Sequence, residues 1–327
     1  MKDFDYAKPS ADADAIRSGQ TAGARFIAGG TLLVDLLRLD VERPDLLVDL
    51  NGLPHASVEL GADGLRIGAL VRNSDLAEHP EVLASFPALS QALLSGASPQ
   101  IRNMATLGGN LLQRTRCPYF RDVAVDACNK RRAGSGCAAL GGYSRMHAVL
   151  GVSDQCIAAH PSDMCVALLA LDAVVHTSGA RGPRAIPLAD FHTLPGAHPE
   201  RESVLEAGEI VTHVSLEKSR LASHSAYVKA RDRASYAFAL ASAAVGLELD
   251  GNRVSKARGA VGGVASKPWR CPEVEQALIG KSATAESFNA AAALAMREAK
   301  TTSHNQFKVE LARSVIVRAL SLVGAQT

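Results

Sequence analysis

Four of the six cysteines, Cys117, Cys128, Cys137 and Cys156, fall in one polar, glycine-dotted segment. A loop this long inside a compact chain is uncommon unless it is functional. Four thiols converging there would bind a metal or form two disulfides. Structural zinc usually shows a short C-x-x-C knuckle, and these four have none. Disulfides need an oxidising compartment. An iron–sulfur cluster needs four thiolates and tolerates irregular spacing when a long loop wraps it, so the spacing favours a cluster over zinc. Cys165, within an apolar helical pattern, and Cys271, alone before Pro272, read as ordinary buried cysteines.

Two Gly-Gly turns precede this segment: Ala28-Gly29-Gly30-Thr31 and Thr106-Leu107-Gly108-Gly109-Asn110. A dinucleotide pyrophosphate needs backbone N–H donors, close approach and no side chain in the way. Glycines that follow a strand and open a helix supply this, and the helix N-terminus adds its dipole. Two such turns could grip one ligand from both sides, while each alone reads as a tight turn. Neither G-x-G-x-x-G nor a P-loop is present. Lys229, in the charged stretch Tyr227 to Arg233, could meet an anionic ring or phosphate, or lie at a solvated domain junction. His160 beside Pro161 reads as structural, and the basic run Lys130-Arg131-Arg132 reads equally as a solvated loop. The sequence holds no Ser-His-Asp arrangement, no H-E-x-x-H and no convincing carboxylate pair for hydrolysis.

The elements that must position these residues are mixed. Arg25–Ala28 reads as a strand, followed by a helix carrying Leu32, Leu33, Leu36 and Leu37 on one side. Leu46–Leu50 and Leu65–Ala69 read as strands. Asn73-Ser74-Asp75 is a candidate N-cap for a helix from Leu76, Pro87–Ser95 reads as another helix, and Ser162-Asp163 caps a third. A boundary is expected near Lys218–Ser225. Beyond it, extended runs Tyr236–Leu249 and Arg253–Val261 joined by Asp250-Gly251-Asn252 signal an antiparallel hairpin. Two helices close the chain, the last with Phe307, Leu311, Val315 and Leu322 at helical spacing.

At 327 residues the chain exceeds what one core usually organises. A net charge of +2 argues against a nucleic-acid protein. No apolar run is long enough to span a bilayer, and the acidic start Met1 to Tyr6 is unlike a signal peptide.

Arg25-Phe-Ile-Ala-Gly-Gly-Thr-Leu-Leu33, Ala105-Thr-Leu-Gly-Gly-Asn-Leu-Leu112, Ser162-Asp163 followed by Lys229, and Gly262-Gly-Val-Ala-Ser-Lys-Pro-Trp-Arg270 occur in family order. Together they resemble the FAD-binding medium subunit of the xanthine dehydrogenase and molybdenum-containing aldehyde oxidoreductase family, over essentially the whole chain. The cysteine-bearing insert departs from most members. It is similar to that of the periplasmic aldehyde oxidoreductases, whose FAD subunit binds an extra 4Fe–4S cluster. The resemblance implies an α+β protein. A vanillyl-alcohol-oxidase-type FAD domain of two α/β lobes, residues 1–220 with an insert at about 114–158, precedes a C-terminal α+β domain, 221–327, with antiparallel sheet and helices. It implies FAD contacts from Arg25, Phe26, Ile27, Ala28, Gly29, Gly30, Thr31, Leu32, Leu33, Thr106, Gly109, Asn110, Ser162, Asp163 and Lys229. The four insert cysteines would ligate the 4Fe–4S cluster. The implied partners are a small subunit with two 2Fe–2S clusters and a large subunit with molybdenum cofactor, in a heterotrimer. Aldehyde would be oxidised to carboxylic acid on the large subunit. Electrons would reach this FAD through the 2Fe–2S clusters and leave to an external acceptor. Without an export signal of its own, the chain is expected in the periplasm by co-export with a signal-bearing partner, or in the cytoplasm.

Overall fold

The computed structural model describes residues 1–61 and 64–325. The first lobe is a parallel sheet of three strands in the order Asp5–Ala7, Leu46–Asp49, Ala24–Ile27. The apolar Leu47 and Val48 put the middle strand in the core. Helix Leu33–Arg38 connects the edge strand Ala24–Ile27 to the middle strand and buries Leu36 and Leu37, while Asp40 turns the chain at φ 59°. Strand Ala24–Ile27 ends at the Gly-Gly turn, so Gly29 and Gly30 stand at the carboxyl edge of the parallel sheet.

The second lobe is a five-stranded antiparallel sheet in the order Val58–Leu60, Gly64–Gly68, Ile210–Glu217, Val174–Gly179, Gly182–Pro187. Helices Pro87–Ser95 and Asp163–Ala170 cover it. All eight residues of Asp163–Ala170 are buried, as expected of a helix apolar on every side. Ser162 caps it, its Oγ accepting from the Cys165 amide at 3.1 Å. This helix shares one core with Ile67 and Val175 of the five-stranded sheet and with Ala244 and Ala260 of the third, so it joins the two domains.

That third sheet is antiparallel, in the order Trp269–Arg270, Arg253–Gly262, Ala241–Asp250, Ser225–Ala230. Gly251 takes φ +57° in the expected hairpin turn. The first run of that hairpin begins at Ala241, five residues later than the sequence suggests, because Tyr236 adopts φ 51° and leaves the extended region. Three helices close the chain rather than two: Pro272–Leu278, Ala285–Ala292 and Phe307–Gly324. The last buries Lys308, Ala312, Val315, Ile316, Ala319, Leu320 and Val323, while Phe307 and Leu322 face outward. Small alanines on the packed side and large apolar residues on the rim rotated the apparent apolar face. Asn73-Ser74-Asp75 lies inside helix Asn73–Ala77, which starts after Arg72 rather than at a side-chain cap.

Between the lobes, residues 114–158 carry only two short helical turns, Pro118–Arg121 and Ala138–Gly141. Polar groups hold this insert together. Asn129 donates from Nδ2 to the Gln155 carbonyl and accepts from the Gly136 amide. Arg131 donates to the carbonyls of Tyr119, Phe120, Asp122 and Val125. Phe120 and Cys128 pack on Leu36 of the first lobe, and Val149 and Leu150 enter the C-terminal core.

Candidate functional site

A cleft of about 950 Å³ opens between the two lobes, at the upper end of small-molecule sites, which run to about 1,000 Å³. Every residue from Arg25 to Leu33 lines it, with Thr106, Gly108 and Gly109 of the second turn and with Arg114, Lys130 and Arg131. Among the described residues, no acceptor meets the amides of Gly30, Thr31 or Leu32. Free amides at the start of a helix attract anions. Opposite, the Thr106 hydroxyl accepts from the Gly109 amide at 3.2 Å and caps the second turn. The donor set and the size of the cleft fit a dinucleotide.

The glycines have separate jobs. A Cβ at Gly29 would stand 1.9 Å from the Met104 carbonyl oxygen, so this glycine lets the two turns touch. Gly30 occupies the left-handed region at φ +69°. At Gly109 an added Cβ meets only the Thr106 hydroxyl, at 3.1 Å, and would otherwise stand free at the cleft wall. Arg25 is drawn to Glu42, its Nε donating at 3.0 Å.

Asn110, Ser162, Asp163 and Lys229 are not among the residues that line this cleft. The Ser162 hydroxyl donates to Asn110 Oδ1 at 2.7 Å. Lys229 Nζ donates to Asp163 Oδ2 at 2.7 Å and to the Ser95 carbonyl at 3.0 Å, with side chains 3% and 7% exposed. The Tyr227 hydroxyl donates to the other Asp163 oxygen, and this carboxylate together with burial raises the tyrosine's pKa. Of these four predicted contacts, Asn110 and Ser162 thus bond to each other within the first domain, and Asp163 and Lys229 form a buried clasp between the domains. The alternative of a solvated junction fails for Tyr227 and Lys229 for the same reason.

The four insert cysteines line one small pocket. Cys128 and Cys137 form an antiparallel bridge, all six cysteines are free thiols, and several amides are aimed at the sulfurs. The Ala158 amide donates to Cys156 Sγ at 3.4 Å. The amides of Ala139, Ile157 and Leu140 act on Cys137, and those of Phe120 and Tyr119 act on Cys117. The neighbouring Cys156 draws the Cys137 thiol down to about 6, while Cys137 and burial push Cys156 up. Burial pushes Cys117 up to about 11. Backbone N–H groups converging on sulfur suit thiolates, since a neutral thiol is only a weak acceptor.

A single zinc with Zn–S bonds of about 2.3 Å holds its tetrahedral sulfurs less than about 4 Å apart. Among the described residues no three of these cysteines come within 4.8 Å of one another. Four cysteine thiols on one pocket are the donor type and number that a 4Fe–4S cluster takes. Cys165 and Cys271 lie fully in apolar cores, where burial raises their thiols, to about 12 for Cys165.

The His160, Cys165 and His192 side chains also converge within 4.8 Å. His160 Nδ1 accepts from the Ser162 amide at 3.3 Å, so its hydrogen sits on Nε2, and His192 Nε2 faces the Leu111 carbonyl at 2.9 Å. That leaves a bare Nδ1 on His192, complementary to the His160 N–H in a ring 4.6 Å away. With its lone pair already committed, His160 is a core histidine here, as its sequence context suggests.

Sequence reasoning missed the role of the basic run. Lys130 is 11% exposed, pairs with Glu202 and donates to the Pro199 carbonyl. It lines both the cleft and the thiol pocket. Arg131 holds the insert's backbone, and only Arg132 is fully exposed. A three-residue basic run carries no signal that separates these outcomes. His147, with Nε2 3.1 Å from Cys117 Sγ, was also missed, because no motif surrounds it.

Residues 2–217 match the FAD-binding domain of molybdopterin dehydrogenases, and residues 225–323 match the C-terminal domain of the CO dehydrogenase flavoprotein. The chain is 50% identical over 330 residues to the aldehyde oxidoreductase FAD-binding subunit PaoB of Escherichia coli K12, covering 100% of both. It is 28% identical to the glyceraldehyde dehydrogenase medium chain of Sulfolobus acidocaldarius, over 85% of this chain and 82% of that one. Among solved structures, the cyanide-inactivated Cu,Mo-CO dehydrogenase matches the fold with a TM-score of 0.78 at 23% identity, over 100% and 99% of the two chains.

Proposed function

This chain belongs to the FAD-binding subunits of the molybdopterin dehydrogenase family, and on that premise we propose that it is the electron-transferring flavoprotein subunit of a molybdenum-dependent aldehyde oxidoreductase. Aldehyde is oxidised to carboxylic acid on a large partner subunit carrying molybdenum cofactor. Electrons arrive through the 2Fe–2S clusters of a small partner and leave to an external acceptor. The observation that carries this reading is 50% identity over the full length to an aldehyde oxidoreductase FAD-binding subunit, joined to a cleft whose unpaired amides suit a diphosphate.

When bound, FAD supplies a carrier able to exchange electrons with both one- and two-electron partners. The chain's own residues hold and orient it. The amides of Gly30, Thr31 and Leu32 take the diphosphate, and the Thr31 hydroxyl stands beside them. Thr106 fixes the second turn so that Gly109 presents bare backbone. Arg114 and Lys130 set positive charge along the far wall, restrained by Glu42 and Glu202. Asp163 and Lys229 keep the domains closed behind the cleft. Cys117, Cys128, Cys137 and Cys156 are proposed to hold an additional 4Fe–4S cluster, whose thiolate ligation takes the place of a hydrophobic core in the insert. Among the described residues no helix is long and apolar enough to cross a membrane.

Coexpression with the partner subunits and measurement of flavin and iron per chain tests this. The expected result is one FAD and, beyond the partner's 2Fe–2S iron, four irons that disappear on serine substitution at any of the four insert cysteines. Serine at Cys165 or Cys271 should leave the iron in place. Iron lost from Cys165→Ser but kept in Cys156→Ser would show a different ligand set. A chain that purifies alone, fully flavinated, and turns over aldehyde by itself would defeat the subunit reading.

A further inference from the structure

We propose that His147 is a positioning residue of the insert cluster: its Nε2–H donates a hydrogen bond to the Cys117 thiolate and raises the cluster's reduction potential. The inference rests on the cluster reading above and goes beyond it by giving the cluster a tuned redox role.

His147 is 2% exposed, and its Nε2 lies 3.1 Å from Cys117 Sγ. Its other ring nitrogen, Nδ1, is buried without a partner. These facts decide which atom donates. If Cys117 were a thiol donating to Nε2, the ring hydrogen would sit on Nδ1, a buried N–H with no acceptor in hydrogen-bond geometry, although the Ser144 carbonyl acts on the ring. That arrangement is costlier than a bare lone pair. The favoured tautomer therefore carries hydrogen on Nε2, and the sulfur accepts.

The ring's placement is built in. Ser144 accepts the His147 amide at 2.9 Å, and the Ser144 hydroxyl meets Thr302 of the C-terminal domain at 2.6 Å. The Tyr119 ring stands 6.0 Å from the imidazole. Lys308, buried with Nζ donating to the Gly263 carbonyl at 2.7 Å, is a cationic group whose field reaches the ring. The C-terminal domain thus holds a donor against a sulfur of the insert.

The consequence follows from charge. Reduction adds one electron to the cluster, with no bond made or broken and no proton moved. An N–H aimed at a ligand sulfur draws density from it and stabilises the more negative form. Hydrogen bonds to the sulfurs are among the terms that set iron–sulfur potentials, and partners of ligating groups tune their metals generally.

The test is a potentiometric titration of the complete heterotrimer, followed by electron paramagnetic resonance, for the wild type, His147→Gln and His147→Leu. Iron per chain should stay unchanged. The midpoint potential should move negative in His147→Leu and less so in His147→Gln, which keeps an N–H. Full iron with an unmoved potential in His147→Leu would overturn the proposal. Should His147→Leu lose its cluster, pulsed resonance on the reduced complex labelled with ¹⁵N-histidine decides instead. A histidine nitrogen coupling present in the wild type and absent from His147→Gln supports the bond, and no such coupling in the wild type refutes it. A wild-type complex with no iron beyond the partner's 2Fe–2S clusters would refute the cluster reading itself, an outcome distinct from the other two.

Discussion

Removing Asp163 should unlock the domains without emptying the flavin cleft. Its carboxylate and the Lys229 ammonium are 7% and 3% exposed and lie 2.7 Å apart, one at the start of the central helix and one on the C-terminal sheet. Taking away one partner leaves a buried charge uncompensated, which costs about 3–5 kcal/mol. At about 2–4 °C per kcal/mol for a chain of this order, Asp163→Leu should lower Tm by about 6–20 °C. Replacing both charges with apolar groups should recover much of that loss, because an apolar pair of similar volume is often neutral or better. Arg231 still serves the Ser95 carbonyl at 3.1 Å, so the double variant Asp163→Leu/Lys229→Met leaves only the Tyr227 hydroxyl without its acceptor, a residual penalty of about 1–3 kcal/mol. Adding Tyr227→Phe removes that too. Thermal unfolding of these variants and of Lys229→Met gives the coupling, and flavin extracted from each gives the cofactor content. A single variant no less stable than the double would refute the clasp. Flavin lost from the double variant at an unchanged Tm would place Asp163 and Lys229 on the FAD after all.

Gly109→Val and Gly29→Val should fail differently. At Gly109 the new side chain has space except for the Thr106 hydroxyl, so the protein should fold and purify with its FAD content reduced at least tenfold, read by absorbance. At Gly29 the added Cβ collides with the Met104 carbonyl, so soluble yield and Tm should fall together, and a stable, flavin-free Gly29→Val would contradict this assignment. Burial holds the His192 imidazole down to about 4, against 6.5 for a free side chain. The unfolded chain therefore takes up a proton that the folded chain refuses, so this contribution is complete above pH 6.5 and is lost as pH falls toward 4. The loss amounts to about 3 kcal/mol. Denaturant midpoints at pH 7 and pH 4.5 should differ accordingly, and His192→Gln should flatten that difference.

Where one residue type has one structural meaning, the sequence was readable. Pro87 opened a helix that ends at Ser95, Ser162 capped one, and Asp250-Gly251-Asn252 turned a hairpin. The turns at Gly29 and Gly109 were found because backbone exposure itself is the signal. Readings that depended on a side chain's partner were less secure. Lys229 looks the same in sequence whether it meets a flavin or an aspartate, and only the placement of Asp163 beneath it distinguishes the two. The last helix shows the same limit. Alanines at 312 and 319 contribute little to an apolar pattern yet mark the face pressed closest to the sheet, so the pattern followed the larger exposed residues instead.

The insert and the flavin cleft are mechanically one object. Lys130 stands two residues after Cys128 and lines both the thiol pocket and the cleft. Its ammonium is held by Glu202, which also binds Arg114, and Arg114 lies over the ring of Phe120 at 4.6 Å. Phe120 in turn packs with Cys128 against Leu36, on the helix that follows the first Gly-Gly turn. An insert with so little regular structure has no core of its own to keep these groups in place. Its order depends on Arg131 bonded to backbone carbonyls and on Asn129 bonded to Gln155 and Gly136. The proposed cluster at the four thiols would therefore also fix the far wall of the cleft, because Lys130 and Arg114 reach that wall from the same segment.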